Sequence, residues 1–164
     1  MEEQNCHCNN MNNQVCPTTF KTCPPIVTCS KQVINQYHVV NHGTGEVANE
    51  ERNMMVEAAR IVRGNILPMS EFNADNFDGL AIPGGVGVAN NIFTYFIDGM
   101  QMTVLPEVRD AIVKIHEQNK PIAAMCIAPV LLANVLNDIT ITLGSDGCGP
   151  AKDIVKMGAQ HSAT

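Results

Sequence analysis

The chain has 164 residues, 45% of them hydrophobic, and a formal net charge of −6, which fits one domain with a core of useful size. Ten Lys and Arg against sixteen Asp and Glu argue against a nucleic-acid partner, and no apolar run is long enough to span a membrane. With no Trp and 4% aromatic residues, the core volume must come from Val, Ile, Leu, Met and Ala.

The start, Met1-Glu2-Glu3, is acidic, no basic-then-apolar stretch follows, and the first Arg is Arg52. These features predict a cytoplasmic location, with mitochondrial import disfavoured and thiols kept reduced. Cys6, Cys8, Cys16, Cys23 and Cys29 crowd the first 29 residues, but no two are spaced as Cys-x-x-Cys. A zinc site built with His7 and a poorly ordered leader are both open readings. Asn-rich at first and then broken by Pro17, Pro24 and Pro25, residues 1–35 read as a leader with a short strand at Ile26–Thr28. Residues 36–164 read as the domain.

Within the domain, 37–41 is a candidate strand and Gly43-Thr44-Gly45 a turn. A helix is predicted over 49–63, with Met54, Met55, Ala58, Ala59 and Val62 on its apolar stripe and Gly64 as its stop. The apolar run Leu80-Ala81-Ile82 suits a strand buried on both faces of a parallel sheet, and it ends at Pro83-Gly84-Gly85. Pro106 and Glu107 open a helix over 106–118, whose stripe is Val108, Ala111, Ile112 and Ile115. Residues 122–125 form the next buried strand. A helix over 129–136 follows almost without a loop. A strand over 139–143 and a helix over 150–157 complete the alternation. Strand–helix alternation of this kind implies a parallel sheet flanked by helices, with ligands bound beyond the carboxyl ends of the strands.

Cys126 falls at such an end. A strand that closes on Cys and turns at once into a helix presents the thiol at the sheet edge, where the positive end of the helix dipole favours the thiolate. Backbone N–H groups at the helix start are placed to receive an oxyanion. On these residues alone Cys126 is equally a nucleophile or a small apolar filler. Pro83-Gly84-Gly85-Val86-Gly87 fails as a dinucleotide loop, because the third glycine position is Asn90. It reads as a turn whose N–H faces the site, or as a tight turn alone. His42, His116, His161 and Cys148 read as structural, with His116 facing solvent or an interface and Cys148 in a loop.

Pro83-Gly84-Gly85 after a buried strand, followed by Met125-Cys126-Ile127-Ala128-Pro129, resembles the DJ-1/PfpI superfamily, and within it the ElbB/ES1 branch. Asn41-His42-Gly43-Thr44-Gly45-Glu46, Glu51-Arg52-Asn53 and the stretch from Glu57 to Gly64 carry the same likeness. So do Gly144-Ser145-Asp146 and Met157-Gly158-Ala159-Gln160-His161. The resemblance implies an α/β three-layer sandwich with a mostly parallel sheet, flavodoxin-like and class I glutamine amidotransferase-like. It also implies a glyoxalase-type lyase that converts glyoxal or methylglyoxal to a 2-hydroxy acid through a hemithioacetal on Cys126. The Gly85 and Ile127 N–H groups would form its oxyanion hole. It implies no cofactor and no metal, a small dicarbonyl substrate and a homodimer. Ile127 stands where the PfpI proteases carry His, so no protease triad is visible. The family's first β-α-β unit, whose glycine turn carries an acid–base Glu, has no counterpart in residues 1–35, and its C-terminal elements have none after His161. Weak or lost turnover is therefore expected, and the competing reading is a non-catalytic stress or redox-sensing protein on the same fold.

Overall fold

The computed structural model describes residues 26–28 (as backbone), 39, 41 and 43–163. Six strands are described, and they pair two by two, each pair parallel. β1 (Ile26–Thr28) pairs with β2 (Ile66–Pro68), β3 (Leu80–Ile82) with β4 (Ile122–Ala124), and β5 (Thr140–Ile141) with β6 (Gln160–His161). β1 is the short strand expected within residues 1–35, so the β1–β2 pair draws on that segment. Of the strand expected over 37–41 only Val39 and Asn41 are described. They sit at the mouth of a tight loop: Ala48 N–H donates to the Val39 carbonyl, and Asn41 N–H to that of Glu46. The Asn41 side-chain oxygen accepts from Gly43 N–H and shapes the turn.

α1 (Met54–Ile61) is shorter than the predicted 49–63. Asn53 explains the late start: it is extended, and its side chain accepts from the Val56 N–H, which caps the helix there. At the other end Gly64, at φ 82, donates its N–H to Ala59 and stops the helix where the sequence placed the stop. α4 (Pro106–Glu117) follows its prediction to within a residue and buries Val108, Ala111, Ile112 and Ile115. α5 (Ala128–Leu136) buries its first six residues, and α6 (Gly149–Lys156) buries Ala151 and Ile154. Two short helices were missed, α2 (Val86–Asn91) and α3 (Tyr95–Asp98). At six and four residues they are too short to show a 3.6-residue period.

The largest fully buried side chains are Phe93, Ile112, Ile115, Leu131, Ile154 and Val130. Leu80, Ile82, Ile122 and Ala124 pack against this core from one face of the β3–β4 pair. The other face carries the register partners Ala81 and Ala123, and both are exposed. This corrects the expectation of a strand buried on both faces. Small side chains stand on that face, and no helix among the described residues covers it.

α3 is tied to α6 by the Tyr95 hydroxyl, which donates to Asp153 Oδ2 at 2.8 Å. Burial, reinforced by the Asp153 hydrogen bond and charge, pushes the Tyr95 phenol from 10.0 up to about 12. Folding thus favours the neutral phenol. Its contribution is complete below pH 10 and is lost as pH climbs from 10 toward 12. Tyr95→Phe is expected to weaken the fold by about 1 kcal/mol near neutrality. It is also expected to flatten the loss of stability at high pH, read as urea midpoints on either side of the ordinary Tyr value.

Candidate functional site

The carboxyl ends of β3 and β4 meet because their register pairs Ile82 with Ala124. The ladder runs on for one step, as Met125 N–H donates to the Ile82 carbonyl at 3.0 Å. The chain then turns: Ala128 N–H donates to the Met125 carbonyl, also at 3.0 Å, and α5 begins. Cys126 is left at the apex at φ 59, a left-handed conformation that non-glycine residues rarely adopt, and it is exposed. The expected corner is therefore present, and the thiol is not the buried filler that was its alternative.

Gly84 and Gly85 form the facing wall. At Gly84, φ 80, a Cβ would lie 2.5 Å from the Met125 carbonyl oxygen and 3.1 Å from Cys126 Cβ. Only a residue without a side chain lets the two turns touch. Gly85, at φ 110 and ψ 158, is the N-cap of α2. Among the described residues neither the Gly85 N–H nor the Ile127 N–H donates to any acceptor. Cys126 Sγ likewise makes no hydrogen bond to a described residue.

The remaining candidates do not join this corner. His161 is committed elsewhere: its Nε2 accepts from Leu143 N–H at 3.1 Å, so Nδ1 carries the proton and donates it to Asp146 Oδ1 at 2.8 Å. This pairing of the Gly144-Ser145-Asp146 motif with the Met157–His161 motif was not foreseen. Its only signal in the sequence was that both motifs occur at all. The Cys148 thiol donates to the Leu143 carbonyl at 3.0 Å, which makes it a half-buried cap of the same loop rather than a second nucleophile. His116 is exposed on α4, as expected. His42 and the zinc reading of Cys6, His7, Cys8 and Cys16 lie outside the described residues. No group of three or more metal-ligating side chains occurs among those described, and no described helix is long and apolar enough to cross a membrane.

Comparison with known proteins gives this geometry a family. No protein-family model matches the chain. Individual relatives do. It is 37% identical over 137 residues to the human mitochondrial glutamine amidotransferase-like class 1 domain-containing protein 3, a match covering 78% of this chain and 51% of that protein. The mitochondrial ES1 protein homolog of Rattus norvegicus is 36% identical over 78% of the chain and 52% of its own length. The chain belongs to the class I glutamine amidotransferase-like superfamily, in its ES1 branch. It spans about half the length of the curated relatives it matches. A crystal structure from Ehrlichia chaffeensis, of an isoprenoid biosynthesis protein with an amidotransferase-like domain, superimposes with a TM-score of 0.70 at 37% identity. The match covers 79% of this chain and 59% of that one. The flavodoxin-like, class I amidotransferase-like fold is thereby established. The cytoplasmic expectation is overturned, since these relatives and the ES1 protein of Danio rerio are all named mitochondrial. That expectation read the acidity of Met1-Glu2-Glu3 and the late first Arg as if they carried the whole address.

Proposed function

We propose that Cys126 is the nucleophile of a slow, glyoxalase-type reaction on glyoxal or methylglyoxal. The observation that carries the reading is the exposed thiol held at φ 59, where neither the Gly85 N–H of the facing turn nor the Ile127 N–H of the next residue donates to an acceptor among the described residues. The thiolate adds to the aldehyde carbon, an S–C bond forms, and the carbonyl π pair moves onto oxygen. The two N–H groups hold that oxygen until it is protonated to the hemithioacetal. Moving the hemithioacetal C–H proton through an enediol to the neighbouring carbon leaves a thioester of the 2-hydroxy acid. Water then cleaves the thioester and returns the thiol. No described carboxylate or imidazole hydrogen-bonds Sγ to carry that proton, which supports a slow rate, because a positioned acid–base group contributes roughly 10²–10⁴-fold.

The expected result is measurable methylglyoxal consumption that falls to the buffer rate in Cys126→Ala and persists in Cys148→Ala. Equal consumption by wild type and Cys126→Ala would sink the proposal. Among the described residues no group hydrogen-bonds the thiol, which also favours a second reading, a redox sensor. That reading expects sulfenate labelling of Cys126 by peroxide in a protein without turnover.

A further inference from the structure

The carboxyl end of β5 is tied down by a histidine from β6. Leu143 N–H donates to His161 Nε2 at 3.1 Å, and His161 Nδ1 donates to Asp146 Oδ1 at 2.8 Å. The Leu143 carbonyl accepts from the Cys148 thiol at 3.0 Å, and Cys148 N–H donates back to the Ser145 carbonyl. One imidazole thus closes residues 143–148 into a loop whose last residue is the N-cap of α6. Both ring nitrogens are used, so a second proton can enter only at Nε2. There it would face the Leu143 N–H, a donor against a donor. Charging His161 and keeping the Leu143 bond exclude each other. Which side gives way is also set. The His161 side chain is 5% exposed, and its strand is held by Gln160 N–H on the Ile139 carbonyl and Ser162 N–H on that of Ile141. Residues 144–147 are all exposed, and two of them are glycines. The loop therefore moves and the ring stays.

We propose that His161 is a proton-operated latch: residues 143–148 close on the neutral imidazole and open when it is protonated, which uncaps the Cys148 thiol. The ring gains one proton at Nε2 and turns that nitrogen to water as the Leu143 N–H leaves it. No covalent bond changes. Few other charges bear on the ring. Residues 139–145, residues 157–164 and α5 carry no acidic or basic side chain besides His161. The loop supplies Asp146 and the Cys148 thiol. α6 supplies Lys152, Asp153 and Lys156, with Asp153 engaged by Tyr95 and Lys156. The Asp146 carboxylate favours the charged ring, but its side chain is 79% exposed and water screens it. The donor clash at the half-buried Leu143 outweighs that pull. Imidazoles change charge between about pH 8 and pH 5, so the loop is closed at the upper end of that range and open at the lower. Tyr95, pushed up to about 12, stays neutral throughout. The latch does not depend on any chemistry at Cys126.

The test uses the full chain. One pH titration by NMR follows the His161 ring nitrogens and the exchange protection of the Leu143 amide. The expected result is an Nδ1–H tautomer with a protected amide at the upper end, and protection that falls by about tenfold in step with protonation of the ring. Disulfide formation by Cys148 with dithiodipyridine, resolved by peptide mass spectrometry and divided by the rate for N-acetylcysteine at each pH, should rise about fivefold over the same step. In His161→Gln the amide oxygen still accepts the Leu143 N–H and the amide NH2 reaches Asp146, but no proton is gained. Cys148 should then stay capped across the whole range, which separates the latch from general acid unfolding. A Leu143 amide that stays protected on a doubly protonated ring would overturn the inference, and so would an Nε2–H tautomer in the neutral protein. Neither result needs the variant to fold. Cys148 exposure that rises equally in His161→Gln would overturn it as well.

Discussion

Gly84→Ala is expected to displace the Cys126 corner, to lower stability by about 3 kcal/mol, and to slow alkylation of Cys126 by at least about tenfold. Two costs fall on one methyl group. At φ 80 any Cβ is strained, and this one would stand 2.5 Å from the Met125 carbonyl oxygen. That oxygen cannot readily retreat. It accepts the Ala128 N–H that starts α5, and the N–H of the same residue is held by Ile82. Relief must come from parting the β3–β4 ends, which carries Gly85 away from Ile127. Gly85→Ala is the control, because φ 110 is equally unfavourable but no atom lies within 4 Å of its Cβ. It should cost stability through backbone strain alone and leave the corner in place. Urea denaturation and the rate of iodoacetamide labelling at the Cys126 peptide give both readouts. Gly84→Ala with wild-type stability and labelling would mean that the contact between the turns is not what sets the corner.

The corner was legible in the sequence because each of its parts has a local signature. A continuous apolar run, a Gly-Gly stop, and a strand that enters a helix with no loop can each be seen within a few residues. α4 was legible for the same reason, its start marked by Pro106 and its stripe by four apolar residues at helical spacing. What escaped depends on pairing across distance. β2 and β6, at three and two residues, exist because a partner strand lies beside them, and nothing in Ile66–Pro68 or Gln160–His161 announces that partner. The occupation of both His161 nitrogens joins residues eighteen and fifteen positions apart, so a histidine that might have served Cys126 was excluded only by geometry. The reading of a continuous apolar run as a strand buried on both faces failed at Ala81 and Ala123 because it assumes a layer on each face. Localisation failed for a different reason: an address is read by a receptor, and acidity in the opening residues is no substitute for it.

Phe93→Ala is expected to cost about 3–5 kcal/mol, roughly a fifth or more of the stability of an ordinary domain. The ring is fully buried in the main core. Its backbone is fixed as well: Phe93 forms an antiparallel bridge with Val104, and Leu105 N–H donates to the Ile92 carbonyl just before it. Both ends of the segment are therefore pinned, and the chain cannot easily collapse into the void that truncation leaves. The cavity term then adds to the lost transfer energy, which places the expected cost in the upper part of the large-to-small range. In a chain with five Phe, two Tyr and no Trp, no other described aromatic is as deeply buried. Phe96, three residues on, is half exposed on α3, and Phe96→Ala should change stability by no more than about 0.5 kcal/mol. The two residues look alike in the sequence, where neither helix shows a period. Paired urea melts of the two variants would separate them, and equal losses would mean that the core does not close around Phe93. Because Phe93 follows α2, whose N-cap is Gly85, its loss should also loosen the glycine wall. Cys126 labelling is then expected to change in Phe93→Ala and to stay at the wild-type rate in Phe96→Ala.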